Sequence, residues 1–235
     1  LDSEGDGLNQ TFWIFNKKKN YLKKINISDQ CDLARIYRFV TLILKMKPNE
    51  HEFKVMGLAP YAKNEYSKKV YNEVFKDILK VKNCRVVHNK RPKDLFSYIY
   101  NKTQGHRFDN IAGAVQILVE NISTELLIQI NKKYKLNVFS ISGGVSMNIK
   151  MNMVLSNLNF IKNIYIAPTG TDESLSIGAC YFLNKENNKP IKNIYLGQKI
   201  TENKLSKKMI ISSLKNKKNF LIFDNIRHKR IAKLI

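Results

Sequence analysis

Three observations predict an α/β fold for this chain. The first is a strand, glycine turn and helix pattern that occurs twice in a row. Residues 138–142 form a short β-rich run that stops at Gly143-Gly144, and an apolar pattern at Val145, Met147, Met151, Val154 and Leu155 follows with helical spacing. Residues 163–167 form a second such run, stopped by Pro168, and the loop Thr169-Gly170-Thr171-Asp172-Glu173 leads to Leu175, Ile177, Tyr181 and Phe182. The second observation is a long periodic segment, 108–134, with Ile111, Val115, Leu118, Ile122, Leu126 and Ile130 three or four apart, which predicts an amphipathic helix packed on a sheet. The third is a pair of β-rich runs, 11–15 and 21–27, across a polar break, which predicts a hairpin.

The remaining elements follow in order. An acidic, turn-rich stretch, Leu1-Asp2-Ser3-Glu4-Gly5-Asp6-Gly7, precedes the hairpin. Asp29 or Ser28 is placed to cap a helix running to about Lys45, with Leu33, Ile36, Tyr37, Val40 and Leu44 toward the core. Residues 65–80 have helical spacing, Val86-Val87 has strand character, 90–93 is a basic loop, and Asp109 is placed to cap the long helix. Residues 190–201 read as a linker, followed by a helix (203–214), a strand (220–223) and a helix (225–235) that open another unit.

A chain of 235 residues can bury a sizeable core as one large or two small domains. The formal charge of +22 directs attention to nucleic acid or acidic surfaces. The excess is mostly Lys scattered among Asn, a mixture that also arises when an AT-rich coding sequence fills exposed positions, and this second account is preferred. Cys31, Cys84 and Cys180 are odd in number and far apart, so neither a disulfide framework nor a zinc site is indicated, and a reduced, cytoplasmic setting is expected. No apolar run of membrane-spanning length and no signal peptide are read. The chain opens on Leu within a turn, which suggests a piece of a longer protein.

Candidate site residues lie on the loops. Gly143 and Gly144 let a phosphate or ribose approach the backbone ahead of a helix start, although a plain tight turn uses the same residues. The acidic stretch 1–7 suits Mg²⁺ or a phosphate, or simply water. Glu52 and Lys54, in a segment ending in Gly57 and Pro60, read as a surface ion pair on their own. Asp172 suits a metal ligand or a helix cap.

Taken together, these loops resemble the motifs of the O-carbamoyltransferases, the nodulation-factor and antibiotic-tailoring enzymes. Asp2-Ser3-Glu4-Gly5-Asp6 is similar to the Asp-Gly-x-Gly-Glu turn, and Glu52-Phe53-Lys54-Val55-Met56-Gly57-Leu58-Ala59-Pro60-Tyr61 to Glu-Tyr-Lys-Val-Met-Gly-Leu-Ala-Pro-Tyr-Gly. Ser142-Gly143-Gly144-Val145-Ser146-Met147-Asn148 resembles Ala-Gly-Gly-Val-Ala-Leu-Asn, and residues 171–179 resemble Gly-Asp-x-Gly-x-Ala-x-Gly-Ala. The resemblance covers residues 1 to about 196. It implies an ATPase fold of the actin, sugar-kinase and Hsp70 type over 1–197, lacking its N-terminal part, with 198–235 beginning a carbamoyl-adenylate-forming domain. The implied activity is transfer of a carbamoyl group from carbamoyl adenylate, made from carbamoyl phosphate and ATP, to the hydroxyl of a sugar or secondary metabolite. Gly5 and Asp6 would face the phosphate, Glu52 and Lys54 would line the nucleotide pocket, and Gly143, Gly144, Val145 and Asn148 would cradle the adenylate. Asp172 would ligate a divalent metal, commonly iron, and Mg²⁺ would accompany ATP. The resemblance allows a homodimer and implies neither a membrane nor a nucleic-acid partner.

The chain departs from the motifs at Ser3, Ala62, Thr171 and Ser174, where the family has Gly. None of His51, His88, His106 and His228 has the spacing of the family's metal-binding pair, which leaves the metal site incomplete. Two rival readings are a tRNA-modifying threonylcarbamoyl-transfer relative, against which the 52–61 signature argues, and a Lys-rich polyanion-binding module without catalysis. A sugar kinase is disfavoured because no segment suggests a catalytic base near a transferred phosphate.

Overall fold

The computed structural model describes residues 1–167 and 169–184. The expected linker, strand and helices of 190–235, and Pro168, lie outside them. The hairpin forms: β1 (Gln10–Asn16) and β2 (Tyr21–Ser28) pair antiparallel, with Asn16 opposite Tyr21. Ser28 closes β2, its hydroxyl donating to the Val86 carbonyl at 2.7 Å and accepting the Gln30 N–H. Neither Ser28 nor Asp29 therefore caps the next helix, α1 (Leu33–Ile43). Asp32 occupies the cap position, and its carboxylate is engaged by cationic side chains instead of helix amides. Leu33, Ile36, Tyr37 and Val40 are buried along one face as the spacing predicts.

Helix α2 (Glu52–Leu58) runs through Gly57 and tightens into a 3₁₀ turn, Ala59–Tyr61, so only Pro60 acts as punctuation. Helix α3 (Asn64–Val70) continues into a π turn, Tyr71–Phe75. The helical pattern read to Lys80 ends there, because β3 (Leu79–Lys82) turns back through left-handed Asn83 and Cys84 to pair with β4 (Arg85–His88). Helix α4 (Leu95–Thr103) has no counterpart among the expectations, although Asp94 caps it by accepting the Ser97 N–H at 3.0 Å.

Helix α5 (Phe108–Tyr134) has the predicted bounds and organises the core. Asp109 is not its cap. Arg107 holds that position, and the Asp109 carboxylate in the first turn accepts both guanidinium hydrogen bonds from Arg107 at 3.1 and 2.9 Å. The helix packs mainly against α1, α2, α3 and the later α6, with β3 and β4 at one side, and not on one broad sheet as expected. By length and composition it could cross a membrane, with mean hydropathy 1.4 over its most apolar window, which corrects the reading that no apolar run reaches that length. In the fold 67% of that window is buried inside the protein, as the central helix of a core demands.

Strands β5 (Val138–Ile141) and β6 (Asn163–Ile166) pair in parallel, joined through a 3₁₀ turn (Gly144–Met147) and α6 (Ile149–Ser156). The single helix expected after the Gly pair is thus two pieces, because the Asn148 side chain accepts the Met151 N–H at 2.9 Å and starts α6 afresh. Helix α7 (Ser174–Leu183) follows β6, with Glu173 in place of Asp172 at its cap. The described residues make a mixed α/β fold with three two-stranded sheets, of which β5–β6 is the parallel strand-helix-strand unit that the doubled pattern predicts.

Candidate functional site

The loops after β5 and β6 meet at the carboxyl ends of their strands, and the acidic turn joins them. The Gly143 N–H donates to the Gly170 carbonyl at 2.8 Å, and the Val145 N–H donates to the Leu1 carbonyl at 3.3 Å. The Leu1 nitrogen donates to the Ser142 carbonyl at 2.9 Å. Gly143 has φ +94°, and a Cβ there would stand 2.1 Å from the Leu1 carbonyl oxygen. This glycine is therefore required by the chain's own close approach. A Cβ on Gly170 would stand 2.3 Å from the Ser146 hydroxyl. Gly144 differs: the nearest atom to a Cβ there is Asp2 Oδ1 at 3.5 Å, an ordinary contact. Packing therefore does not require a glycine there, and its N–H has no protein acceptor among the described residues.

Of the four residues expected to form the cradle, Gly143 and Val145 have amides already committed to the chain, and Gly144 retains an unpaired one. The Asn148 side chain is turned inward. Its Oδ1 accepts from Gln116 Nε2 at 3.0 Å and its Nδ2 donates to Gln116 Oε1 at 2.8 Å. In the acidic turn, Gly5 and Asp6 form an exposed tip closed by paired bonds between Gly5 and Leu8. Asp2, which was not singled out, is the carboxylate beside Gly144. Two buried side-chain oxygens, Ser146 Oγ of the 3₁₀ turn and Asn152 Oδ1 of α6, have no hydrogen-bond partner among the described residues.

Glu52 and Lys54 do not form an ion pair. Two residues apart on α2, they face different ways. Glu52 Oε1 accepts the Asn49 N–H at 2.7 Å, and the Lys54 ammonium lies 5.8 Å from the Phe53 ring centre. Burial foremost, with Glu120 and Glu52 adding negative potential, pushes the Tyr37 phenol well above its ordinary range. The Tyr37 hydroxyl donates to Gln116 Oε1 at 3.1 Å. Tyr37 of α1 and Gln116 of α5 are thereby joined to Asn148 of the 142–148 motif.

Asp172 is exposed on its loop, two residues past Gly170, and its backbone carbonyl accepts the Leu175 N–H at 3.0 Å. Among the described residues no group of three His, Cys, Asp or Glu side chains converges on a point. Among the described residues Asp172 has only Glu173 beside it as a further carboxylate ligand, so a metal held there would need ligands from elsewhere. A separate charged cluster also escaped sequence reasoning. The buried Asp32 carboxylate meets Arg91 at 2.7 Å, His88 at 2.9 Å and Arg35 at 3.1 Å, and Arg35 lies 3.9 Å from Glu4 of the acidic turn. It ties α1 to β4 and to the loop beyond, contacts across more than fifty residues that no local pattern announces.

The carbamoyltransferase N-terminus family matches residues 1–181, from the acidic turn to α7. The chain belongs to this carbamoyltransferase family. An uncharacterized protein of Methanocaldococcus jannaschii is 29% identical over 240 residues, covering 100% of this chain and 45% of the relative. The nodulation protein NolNO of Sinorhizobium fredii is 24% identical over 139 residues, 57% of this chain and 20% of that protein. NolO of Bradyrhizobium diazoefficiens is also 24% identical, over 143 residues, 59% of this chain and 26% of that protein. The chain spans less than half the length of these curated relatives. The family match covers all four motifs and all three loops of the cluster.

Proposed function

We propose that this chain is the nucleotide-holding part of an O-carbamoyltransferase of actin-like ATPase type. It would deliver the carbamoyl group of carbamoyl adenylate, made from carbamoyl phosphate and ATP, to a hydroxyl of a small molecule. The acceptor oxygen attacks the carbamoyl carbon, the bond from that carbon to the phosphate oxygen breaks, AMP leaves, and the hydroxyl proton passes to solvent or a base. The observation that carries the reading is the meeting of the acidic turn, the Gly-Gly turn and the Gly170 loop at the carboxyl ends of a parallel strand pair, with Gly144 open before them.

Within that cluster the Gly144 N–H is the donor free to meet a phosphate oxygen, and the absence of a side chain there admits the anion. Asp2, whose Oδ1 accepts the Ser3 N–H at 2.7 Å, stands where a Mg²⁺ carried by ATP would soften its repulsion of phosphate. Glu52 would line the nucleotide pocket and accept from ribose hydroxyls.

The charge of +22 favours one rival, polyanion binding without chemistry. Calorimetric titration with Mg-ATP, and with generic RNA over a salt series, separates the two. The proposed function predicts saturable ATP binding that survives moderate salt. Tight RNA binding that falls steeply with salt, without any ATP heat, contradicts it.

A further inference from the structure

We propose that Gln116 is a positioning residue of this nucleotide site, setting the orientation of Asn148 and, through it, of the turn that carries Gly144. The inference rests on the nucleotide reading above and adds to it a residue outside every motif. Gln116 lies near the middle of α5, 3% exposed, where an amide among Ile, Val and Leu is costly unless fully bonded. It is fully bonded. Its Oε1 accepts from the Tyr37 hydroxyl at 3.1 Å and from Asn148 Nδ2 at 2.8 Å, while its Nε2 donates to Asn148 Oδ1 at 3.0 Å and to Glu120 Oε1 at 2.8 Å.

The two amides face each other in a closed reciprocal pair, which permits only one orientation of each. If either flipped, donor would meet donor and acceptor would meet acceptor. Asn148 Oδ1 is thereby aimed at the Met151 N–H as well, which is what separates the 3₁₀ turn from α6. Turning Asn148 would release that cap and let the helix extend backward into the Gly144 turn, rotating its amides. Glu120 fixes the polarity of the set from the far side, because a carboxylate accepts and never donates when ionised. Tyr37 completes it from α1 as a neutral phenol.

The test uses Gln116→Glu and Gln116→Leu in the chain as it stands. Gln116→Glu keeps the shape and both acceptor positions but removes both donors, and its ionised form faces the Glu120 carboxylate and Asn148 Oδ1. Mg-ATP affinity of this variant is expected to fall about tenfold at about pH 8, and to recover most of that loss near pH 5.5 as the new carboxyl takes up a proton and donates again. The parent should change by less than about twofold over the same range once ATP protonation is corrected for. A flat profile in the variant overturns the assignment; because a carboxyl in a purely structural role would titrate too, the readout that separates positioning from packing is exchange confined to the turn. In Gln116→Leu, amide hydrogen exchange across residues 143–148 is expected to rise about tenfold, while the half of α5 against α3 keeps its protection. Unchanged exchange in 143–148 also overturns it. That measurement needs no nucleotide. If the parent chain shows no ATP binding, the functional reading fails by itself and the exchange result alone decides whether Gln116 sets the turn.

Discussion

The Gly143-Gly144 turn and helix α2 with its Ala59–Tyr61 turn are equally conspicuous in the sequence, and the fold uses them in opposite ways. Nearly every group of the first is consumed by the chain: Gly143 by the Leu1 carbonyl, its amide by Gly170, Val145 by Leu1. The second buries one side chain, Val55, and leaves Phe53 62% exposed and Tyr61 79% exposed. A motif whose residues are fixed by packing explains itself. A motif that leaves its aromatic side chains largely in water is not accounted for by packing.

The sharpest way to break this contrast is at Gly143. Replacing it with Ala forces a Cβ into the Leu1 carbonyl at a positive φ, and should cost at least about 2 kcal/mol in urea unfolding. A loss below about 0.5 kcal/mol would show that the loop cluster is not held as described. On α2 the expected pattern is uneven. Val55→Ala, at a fully buried position, should cost about 1–3 kcal/mol, whereas Phe53→Ala should change stability by less than about 0.5 kcal/mol. Equal costs would mean that Phe53 packs and that the contrast is false.

A smaller effect calibrates the scaffold between the two regions. Bonds from Arg107 hold the Asp109 carboxyl below the usual carboxylate range. A depressed folded pKa contributes stability that is complete above the unfolded value, near 3.9, and is lost as pH falls through the folded value. Asp109→Asn should therefore lower the urea midpoint at neutral pH, and the gap from the parent should close as pH drops below about 4. A gap independent of pH would show that the ionised pair does not anchor the start of α5.

What the sequence announced was local and periodic. The hairpin, the bounds of α5 and the β5–β6 unit follow from spacings of two and three to four residues, and all three formed. Leu79 and Lys80 were absorbed into a helical pattern because a four-residue strand offers too few alternations to outvote the periodic run before it. Helix α4 carried its cap signal at Asp94 and a stripe at Leu95, Tyr98 and Ile99, a pattern only about two turns long. At the site, the glycine loops and the signature segment were legible as motifs. Their division of labour was not, since it depends on which amides the chain itself consumes and on Asp2, Gln116 and Tyr37 arriving from three separate elements. Long-range pairing of this kind leaves no trace at any fixed spacing.

The most direct test of the account is calorimetric titration of Mg-ATP into the parent chain and into Gly144→Asp. A Cβ on Gly144 meets Asp2 Oδ1 only at ordinary contact distance, so the variant should fold with an unfolding midpoint near the parent's, while its carboxylate beside Asp2 fills the cradle and repels phosphate. The account predicts saturable binding by the parent and a loss of at least about a hundredfold in the variant, as expected when an anion is set against a phosphate at close range. A folded Gly144→Asp chain that binds Mg-ATP as tightly as the parent would contradict it.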